Sequence, residues 1–287
     1  MEPLKKLLLA DQQLRTLPED MARHTGLEEL SLFKNALTEL PAWLWSLKEL
    51  QFLNIGNNKV RELPDTIKNL QQLHTLDIGH NELEALPASI GDLQNLTYFL
   101  YISNNRLTSL PASIGKLKRL RYLNVSNNQL TVLPDSLGDM CNLIELRLYN
   151  NQLHSLPLTI GNLNELRELH AMNNRLHVLP GAITGLQQLN ELRLSNNQLT
   201  VLPENMDNLF SLRTLDLRNN QLSRLPASLF SLTHLRFLDL RANRLTTIPG
   251  DIGQLIHLEK LDLRWNPIAT LPSAVKQLEQ QGCIVYT

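Results

Sequence analysis

One group of side chains in the sequence has residue types and spacing that could bind a metal ion. His170 lies two positions after the middle member of a set of glutamates that recur every 23 residues: Glu145, Glu168 and Glu191. An imidazole nitrogen and carboxylate oxygens together are a ligand set that zinc accepts. Arg147 and Arg193 occupy the positions equivalent to His170, however, and their positive charge disfavours a cation. The sequence therefore predicts no metal site.

The other chemically reactive residues form no pattern typical of an enzyme. Cys141 and Cys283 are far apart in sequence, and neither has an obvious base beside it, which disfavours a cysteine nucleophile. Two isolated cysteines also argue against a disulfide framework and favour a reducing compartment. The glycines form neither a phosphate-binding loop nor a dinucleotide fingerprint. We expect a protein that is not an enzyme and that needs no cofactor.

Charge and hydropathy exclude two further classes of partner. The chain carries 27 Lys and Arg against 28 Asp and Glu, a net charge of -1 that provides no general attraction to nucleic acid or anionic membranes. The apolar run Leu7 to Ala10 is too short for a signal peptide, and no stretch approaches the roughly 20 apolar residues of a membrane span. We expect a soluble, cytoplasmic chain with no membrane insertion and no nucleic-acid binding.

An internal repeat determines which elements position these residues. The shared pattern is L-x-x-L-x-L-x-x-N-x-L-x-x-L-P-x-x-I-x-x-L-x-x, and eleven of its twelve units are 23 residues long, whereas the unit at Leu96 has 24. The units begin at Leu4, Leu27, Leu50, Leu73, Leu96, Leu120, Leu143, Leu166, Leu189, Leu212, Leu235 and Leu258. One unit cannot bury its own leucines, so the units must stack in parallel.

Each part of the repeat predicts a local structure. In "LRYLNVSNNQL", Leu123 and Val125 alternate with outward residues, the period of two that a strand with one buried face requires. Asparagine occupies the ninth position in eleven units, Gln12 being the exception, and its amide can bond backbone groups at an inward turn. Proline occupies the fifteenth position in all twelve units, where it begins an outer segment with short helical turns.

This pattern resembles the leucine-rich repeat, in the 23-residue class with L-x-x-L-P-x-x-I-x-x-L found in scribble and erbin, in plant intracellular Ras-group proteins and in bacterial proteins. The resemblance covers essentially the whole chain. It implies an α/β solenoid, a right-handed superhelix with a concave parallel sheet and short convex helical or 3-10 segments. We expect a single domain over 1-287, with twelve repeats from near residue 4 to near residue 280 and a C-terminal capping strand at 281-287.

Aromatic residues are concentrated at the outward strand positions. Seven of the eleven Phe and Tyr fall there, although an outward position on a water-facing sheet does not need them for packing. Phe52, Phe99, Tyr101, Tyr122 and Tyr149 lie in consecutive or nearly consecutive units and could form one apolar patch of the kind that binds a partner. The alternative is that they merely stack on one another along the sheet.

The over-long unit contains the stretch "NLTYFLYISNN". Counting back from Asn105 leaves Phe99 and Tyr101 outward and makes Tyr98 the extra residue. It either lengthens the loop before the strand or forms a bulge that re-aims its neighbours. A solenoid could also absorb one residue in a loop without consequence.

Charged residues follow the aromatic ones along the outward positions. Glutamates stand beside Arg147, His170 and Arg193, and farther along, Asp216, Asp239 and Asp262 stand beside Arg218, Arg241 and Arg264. These rows either neutralise one another or await a partner's countercharges. The predicted partner-binding residues are Phe33, Phe52, Phe99, Tyr101, Tyr122, Asn124, Arg147, Tyr149, Glu168, His170 and Arg193.

The sequence therefore favours a non-catalytic protein-protein interaction module, with a scaffold or recognition role, that binds a partner protein on its concave surface. A bacterial host-directed effector, which would be secreted, and the substrate-recognition domain of a larger enzyme are the alternatives. We expect a monomer, with dimerisation through an edge strand as the other arrangement. Trp43 and Trp45, on the outer side, either pack beneath the N-terminal end or form a second contact site.

Overall fold

The computed structural model describes residues 4-287. It divides into two compact units between Leu143 and Ile144. The strands of the first unit are β1 (Lys6–Leu8), β2 (Glu29–Ser31), β3 (Phe52–Asn54), β4 (Thr75–Asp77), β5 (Phe99–Tyr101) and β6 (Tyr122–Asn124). Its 3-10 segments are Glu19–Arg23, Ala42–Ser46, Asp65–Asn69, Ala88–Asp92, Ala112–Lys116 and Asp135–Asp139.

The second unit repeats this alternation. Its strands are β7 (Glu145–Arg147), β8 (Glu168–His170), β9 (Glu191–Arg193), β10 (Thr214–Asp216), β11 (Phe237–Asp239), β12 (Lys260–Asp262) and β13 (Ile284–Tyr286). Its 3-10 segments are Leu158–Asn162, Gly181–Gly185, Met206–Asn208, Ala227–Ser231 and Gly250–Gln254, and the helix α1 (Ser273–Gln280) precedes β13. The predicted α/β architecture of parallel strands and short 3-10 segments is confirmed, whereas the single domain over 1-287 stays a prediction.

The strands pair in parallel and keep one register within each unit. Leu100, the middle residue of β5, lies opposite Leu76 of β4 and Leu123 of β6, and all three side chains are buried. The same pairing joins β7 to β8 and β8 to β9. Because side chains alternate along a strand, the residues that flank each middle leucine point away from the core. The register therefore aligns these flanking residues in rows.

The asparagine at the ninth position bonds two repeats together. In the first unit, Asn128 Nδ2 donates to the carbonyls of Val125 and Ile102, each at 3.0 Å, and its Oδ1 accepts the Leu107 N–H at 3.0 Å. Buried Asn174 does the same in the second unit, where Leu153 N–H is the donor. These buried backbone groups would otherwise lack partners, so the amide stabilises the turn.

The residue before each of these asparagines adopts a left-handed backbone conformation. Asn104 and Asn127 have φ of 56° and 54°, in a region that asparagine tolerates better than most residues. Ala242 and Trp265 occupy the equivalent position in the second unit with φ of 51° and 59°. Many repeats therefore carry two consecutive asparagines for different reasons. The first tolerates the left-handed conformation of the turn, and the second supplies the buried amide.

The outer segments begin as the prolines predict, with one exception. Pro111 has φ of −66° and directly precedes the segment Ala112–Lys116, whose Ile114 is buried. In the unit that begins at Leu189, the segment starts only at Met206, after Asn205. Neighbouring segments pack so closely that a Cβ on Gly91 would lie 2.1 Å from the Ser113 carbonyl oxygen. Trp45 is buried in the core, which leaves it unable to form a contact site.

Candidate partner-binding surface

The side chains that flank the middle residue of each strand, or follow it by three positions, form what we call the strand face. In β5 these are Phe99 and Tyr101, on either side of buried Leu100. The sheet backbone holds them in place, so their orientation does not depend on a flexible loop. The prediction that Phe99 and Tyr101 point away from the core is confirmed by their register with Thr75 and Asp77.

Three rings on β5 and β6 contact one another, and we call them the aromatic cluster: Phe99, Tyr101 and Tyr122. The ring centroids of Tyr101 and Tyr122 are 4.9 Å apart, and those of Phe99 and Tyr122 are 5.4 Å apart in an edge-on arrangement. Phe99 and Tyr101 stack at 5.8 Å. These separations lie in the range where aromatic pairs attract. Phe99 remains 41% exposed, so the cluster presents an apolar ring to solvent.

The cluster is less exposed than the sequence predicts. Tyr122 and Asn124, both expected to face water, are 8% and 5% exposed because neighbouring side chains on the strand face cover them. Asn124 Oδ1 accepts hydrogen bonds from the Ser126 N–H at 3.0 Å and the Ser126 hydroxyl at 2.7 Å. Its Nδ2 donates to the Tyr122 hydroxyl at 3.4 Å. Both residues therefore support the more exposed rings of Phe99 and Tyr101.

The extra residue Tyr98 lies in a bend immediately before β5. The N–H groups of Thr97 and Tyr98 both donate to the His74 carbonyl, at 3.2 and 3.0 Å, and the regular register resumes at Phe99. Regular repeats share a carbonyl in the same way, as where Gln51 and Phe52 both donate to Glu28. Here Tyr98 makes the bond that the first strand residue makes elsewhere, so Tyr98 and Phe99 together take the place of one residue, which is the character of a bulge. The Tyr98 side chain is 52% exposed, and its ring lies 6.1 Å from that of His74.

The remaining predicted aromatics of the first unit lie outside the cluster. Phe52 is half-buried on β3, with β4 between it and β5, and Phe33 is 39% exposed after β2. Neither ring contacts another aromatic ring among residues 4-287. Asp77, opposite Tyr101, has its pKa raised by burial, although the Gly79 N–H and His80 lower it. The structure brings three of the predicted aromatics of this unit together and leaves two apart.

In the second unit, the strand face is charged rather than aromatic. We call Glu145, Arg147, Glu168, His170, Glu191 and Arg193 the charged row. Arg147 pairs with Glu145 on its own strand, and Arg193 pairs with Glu191 in the same way. His170 Nε2 lies 3.0 Å from Glu191 Oε1 and 3.5 Å from Glu168 Oε2. The predicted residues Glu168, His170 and Arg193 therefore form one network through Glu191, whereas Arg147 pairs with Glu145 on the neighbouring strand. Tyr149 is half-buried after β7.

Burial governs protonation at the centre of the charged row. It lowers the pKa of His170, with Arg147 and Arg193 acting in the same direction, against the attraction of Glu191. Burial also raises the pKa of Glu168, to which the neighbouring carboxylates of Glu145 and Glu191 add. His170 is only 9% exposed, which corrects the expectation that its side chain faces water.

The aspartate and arginine rows farther along are more enclosed than predicted. Arg264 Nε and Nη2 bond to Asp262 at 2.9 and 2.7 Å, and Asp262 also lies 3.3 Å from Arg241 Nε. The Asp262 side chain is completely buried. Burial alone would raise the pKa of Asp262, but the hydrogen bonds from Arg264 and the charge of Arg241 lower it. The neutralising interpretation of these rows fits the observed pairs.

Sequence reasoning missed two features of the second unit. A groove of about 180 Å³ lies on the strand face, and its lining includes Phe237, which is 41% exposed. Tyr286 of β13 lies under two cations, with the Arg264 guanidinium 4.8 Å and the Lys260 ammonium 5.3 Å from its ring. Phe237 was visible as an outward aromatic but stood apart from the others. No helix among residues 4-287 has the length and apolar character needed to cross a membrane.

Comparison with known proteins follows the repeat over nearly the whole chain. A family model of the leucine-rich repeat region matches residues 43–118 and 98–194. Leucine-rich repeat models also match residues 2–60, 210–268 and 188–209. No curated protein sequence gives a significant match.

Solved structures share the fold. The GASSHO1/SCHENGEN3 receptor kinase ectodomain from Arabidopsis thaliana is 33% identical with a TM-score of 0.84, covering 99% of this chain and 35% of its own. The plant peptide hormone receptor RGFR1 is 27% identical with a TM-score of 0.77, covering 99% of this chain and 55% of its own. InlJ from Listeria monocytogenes, 23% identical with a TM-score of 0.82, covers 99% of this chain and 58% of its own, and shows the fold alone.

This chain thus spans between about a third and just over half of those three proteins. The repeat pattern, the parallel strands and the family models agree along its length. The chain belongs to the leucine-rich repeat family.

Proposed function

We propose that the chain is a non-catalytic interaction module that binds a polypeptide segment of a partner protein on its strand face, with the aromatic cluster as the centre of the site. The observation that carries this proposal is the packing of three rings at positions that the fold leaves free. The cluster buries Tyr122 yet keeps Phe99 41% exposed, so an anchored apolar surface faces solvent. Rigid aromatic groups of this kind dominate the energetics of protein interfaces.

Two related structures support a polypeptide as the ligand. The GASSHO1/SCHENGEN3 ectodomain was solved in complex with CASPARIAN STRIP INTEGRITY FACTOR 2, and RGFR1 was solved in complex with RGF2. The stacked repeats of this chain offer the same kind of extended sheet surface. A polypeptide suits such a surface because its side chains can engage successive strands.

The other predicted contacts take secondary roles in this proposal. Phe33 and Phe52 extend the apolar surface of the first unit, while Asn124 holds the Tyr122 hydroxyl. Arg147, Tyr149, Glu168, His170 and Arg193 supply a separate polar contact region in the second unit. Exposed charge pairs there would contribute to partner selection and association rate more than to affinity.

We further propose the domain organisation, the oligomeric state and the location of the module. It acts as one domain over 1-287, as a monomer, in a reducing compartment such as the cytoplasm. Cys141 is an exposed free thiol and Cys283 a buried one, and free thiols persist in reducing surroundings.

Affinity capture followed by binding measurements on the purified partner tests the proposal. Changing Tyr101 to Ala should weaken binding at least about thirtyfold, since truncating a central interface aromatic often costs 2 kcal/mol or more. The melting temperature should fall by only a few degrees, because the half-buried Tyr101 side chain loses two ring contacts that together contribute about 1 kcal/mol. A partner that binds the variant as tightly as the wild type would place the site elsewhere.

Deleting Tyr98 tests the role of the bulge separately. The deletion restores the 23-residue period of the unit at Leu96 and should preserve folding. It should weaken binding if the bulge aims Phe99 and Tyr101. Normal binding by the deletion variant, with loss in the Tyr101 variant, would show that the aromatics matter and that the insertion is only tolerated.

A further inference from the structure

The charged row contains a buried nitrogen whose surroundings are unusual for an uncharged histidine. His170 is 9% exposed, and its Nε2 atom forms no hydrogen bond. Carboxylate oxygens of Glu191 and Glu168 nevertheless lie 3.0 and 3.5 Å from that nitrogen. A buried polar atom without a partner is costly, and the two carboxylates beside it repel one another. A cation placed among them removes both penalties.

The three side chains also have the geometry of a ligand set. One ligand atom from each of Glu168, His170 and Glu191 lies within 4.8 Å of the others, a grouping that no other His, Cys, Asp or Glu side chains form within residues 4-287. Glu168 and His170 flank the buried Leu169 of β8, and Glu191 lies opposite Glu168 on β9. Two paired strands therefore fix all three ligands, as a metal site requires.

Local charge favours a cation despite the two arginines. Three glutamates of the charged row face Arg147 and Arg193, and each arginine is paired with a glutamate on its own strand. Glu168 is in ion-pair contact with His170 and with no arginine in the described part of the chain. One carboxylate thus remains without a guanidinium.

We propose that Glu168, His170 and Glu191 form a site for a divalent transition-metal ion, with zinc as the best match. One imidazole nitrogen and two carboxylate oxygens suit zinc, which commonly takes three protein ligands and leaves a fourth position for water or another group. The site does not depend on the proposed partner, because all three ligands come from this chain. Arg193 opposes the ion, since its guanidinium contacts the Glu191 carboxylate.

Isothermal titration calorimetry with zinc on chelator-treated protein tests the site, with no partner present. The wild type should bind one zinc ion per chain, and cobalt in its place should give the visible absorption of a coordinated ion. Glu168→Gln and His170→Gln should each weaken zinc binding at least about tenfold. Melting curves of the metal-free variants establish that they are folded, and Glu168→Gln remains informative if the buried His170 variant unfolds.

Three further variants make the test specific. Glu145→Gln removes a carboxylate from the same row but outside the ligand set, and His177→Gln removes a histidine elsewhere, so both should bind zinc as the wild type does. Arg193→Gln should tighten binding by about fivefold, because it removes a competing positive charge. The proposal is overturned if the wild type binds no zinc below millimolar concentration, or if Glu168→Gln binds it as tightly as the wild type.

Discussion

The strand faces of the two units are built on the same backbone but carry different chemistry. In the first unit, Phe99, Tyr101 and Tyr122 contact one another through their rings. In the second unit, the equivalent positions carry glutamates that pair with Arg147 and Arg193 two residues along the same strand. The leucines and asparagines of the repeat fix the backbone in both. The difference teaches that the positions flanking the buried leucine are free to vary without altering the backbone that holds them.

The two faces also differ in how their residues become buried. Tyr122 is covered by apolar rings, which gain from leaving water. His170 is covered by charged neighbours, and burial there lowers its pKa. An apolar face can bind a partner without losing internal pairs, whereas a charged face must exchange its own ion pairs for new ones. We therefore propose the aromatic face for the main partner contact.

The largest expected effect comes from the asparagines that both units share. Asn128→Ala in the first unit and Asn174→Ala in the second should each lower the free energy of unfolding by about 1 to 3 kcal/mol, because each leaves buried backbone groups without partners. Each side chain makes the same set of bonds to two repeats. Urea denaturation monitored by circular dichroism measures both losses.

These two variants sharpen the comparison because the strand faces of the two units differ, whereas the hydrogen bonds of the ninth-position asparagines are the same in both. Equal losses would show that the scaffold is independent of the chemistry displayed on it. A loss confined to one unit would show that the strand face and the asparagine hydrogen bonds are coupled.

A smaller effect is expected at Asp262, whose buried carboxylate accepts bonds from Arg264. Its pKa in the folded protein is lowered, so its stabilising contribution is present above the unfolded value of about 3.9 and is lost as pH falls through the folded value. Asp262→Asn should therefore reduce stability at pH 7 and lose less stability than the wild type upon acidification. Melting temperatures between pH 7 and pH 3 test this, and parallel pH profiles for the two proteins would contradict it.

Within the first unit, Tyr122→Leu tests the ring contacts. Leucine retains apolar area at the site but removes two aromatic pairs and the hydroxyl that accepts a weak bond from Asn124, which together should cost about 1 to 2 kcal/mol. Phe52→Leu is the matched control. The Phe52 ring contacts no other aromatic ring among residues 4-287, so this variant should lose less free energy of unfolding. Equal losses, measured by chemical denaturation, would mean that the cluster adds nothing beyond ordinary packing.

The smallest effect is expected for an exposed ion pair on the outer side. Lys116 Nζ lies 3.1 Å from Asp92 Oδ1, and both side chains are well exposed. Lys116→Ala should change the free energy of unfolding by less than about 0.5 kcal/mol, since exposed pairs contribute little. Thermal melts compared with those of Asp262→Asn test the contrast between exposed and buried pairs. A larger loss for Lys116→Ala would contradict it.

The sequence predicts the scaffold well because each repeat carries the same constraints. Leucine spacing predicts the strands, the ninth-position asparagine predicts the buried amide, and the prolines predict where most outer segments begin. Burial on the strand face is harder to predict, since it depends on neighbours in adjacent repeats rather than on the strand itself. Tyr122, Asn124 and Asp262 each point outward from their strands, yet side chains from nearby repeats cover them.

The grouping of the Glu168 and Glu191 carboxylates around His170 was equally hard to predict. The sequence shows that glutamates and arginines alternate, but only the side-chain conformations show that each arginine pairs within its own strand. That pairing leaves His170 facing two carboxylates. From the sequence, the positive charges of Arg147 and Arg193 disfavour a cation at this place, but both are paired with glutamates on their own strands.

The most direct test of the aromatic face compares Phe99→Ala with Phe237→Ala in binding to the same purified partner. The two phenylalanines occupy the same position in their repeats and are both 41% exposed, but only Phe99 belongs to the aromatic cluster. We expect the Phe99 variant to bind at least about tenfold more weakly, and the Phe237 variant to bind like the wild type. Equal affinity for the Phe99 variant and the wild type, or a greater loss with Phe237→Ala, would contradict the account.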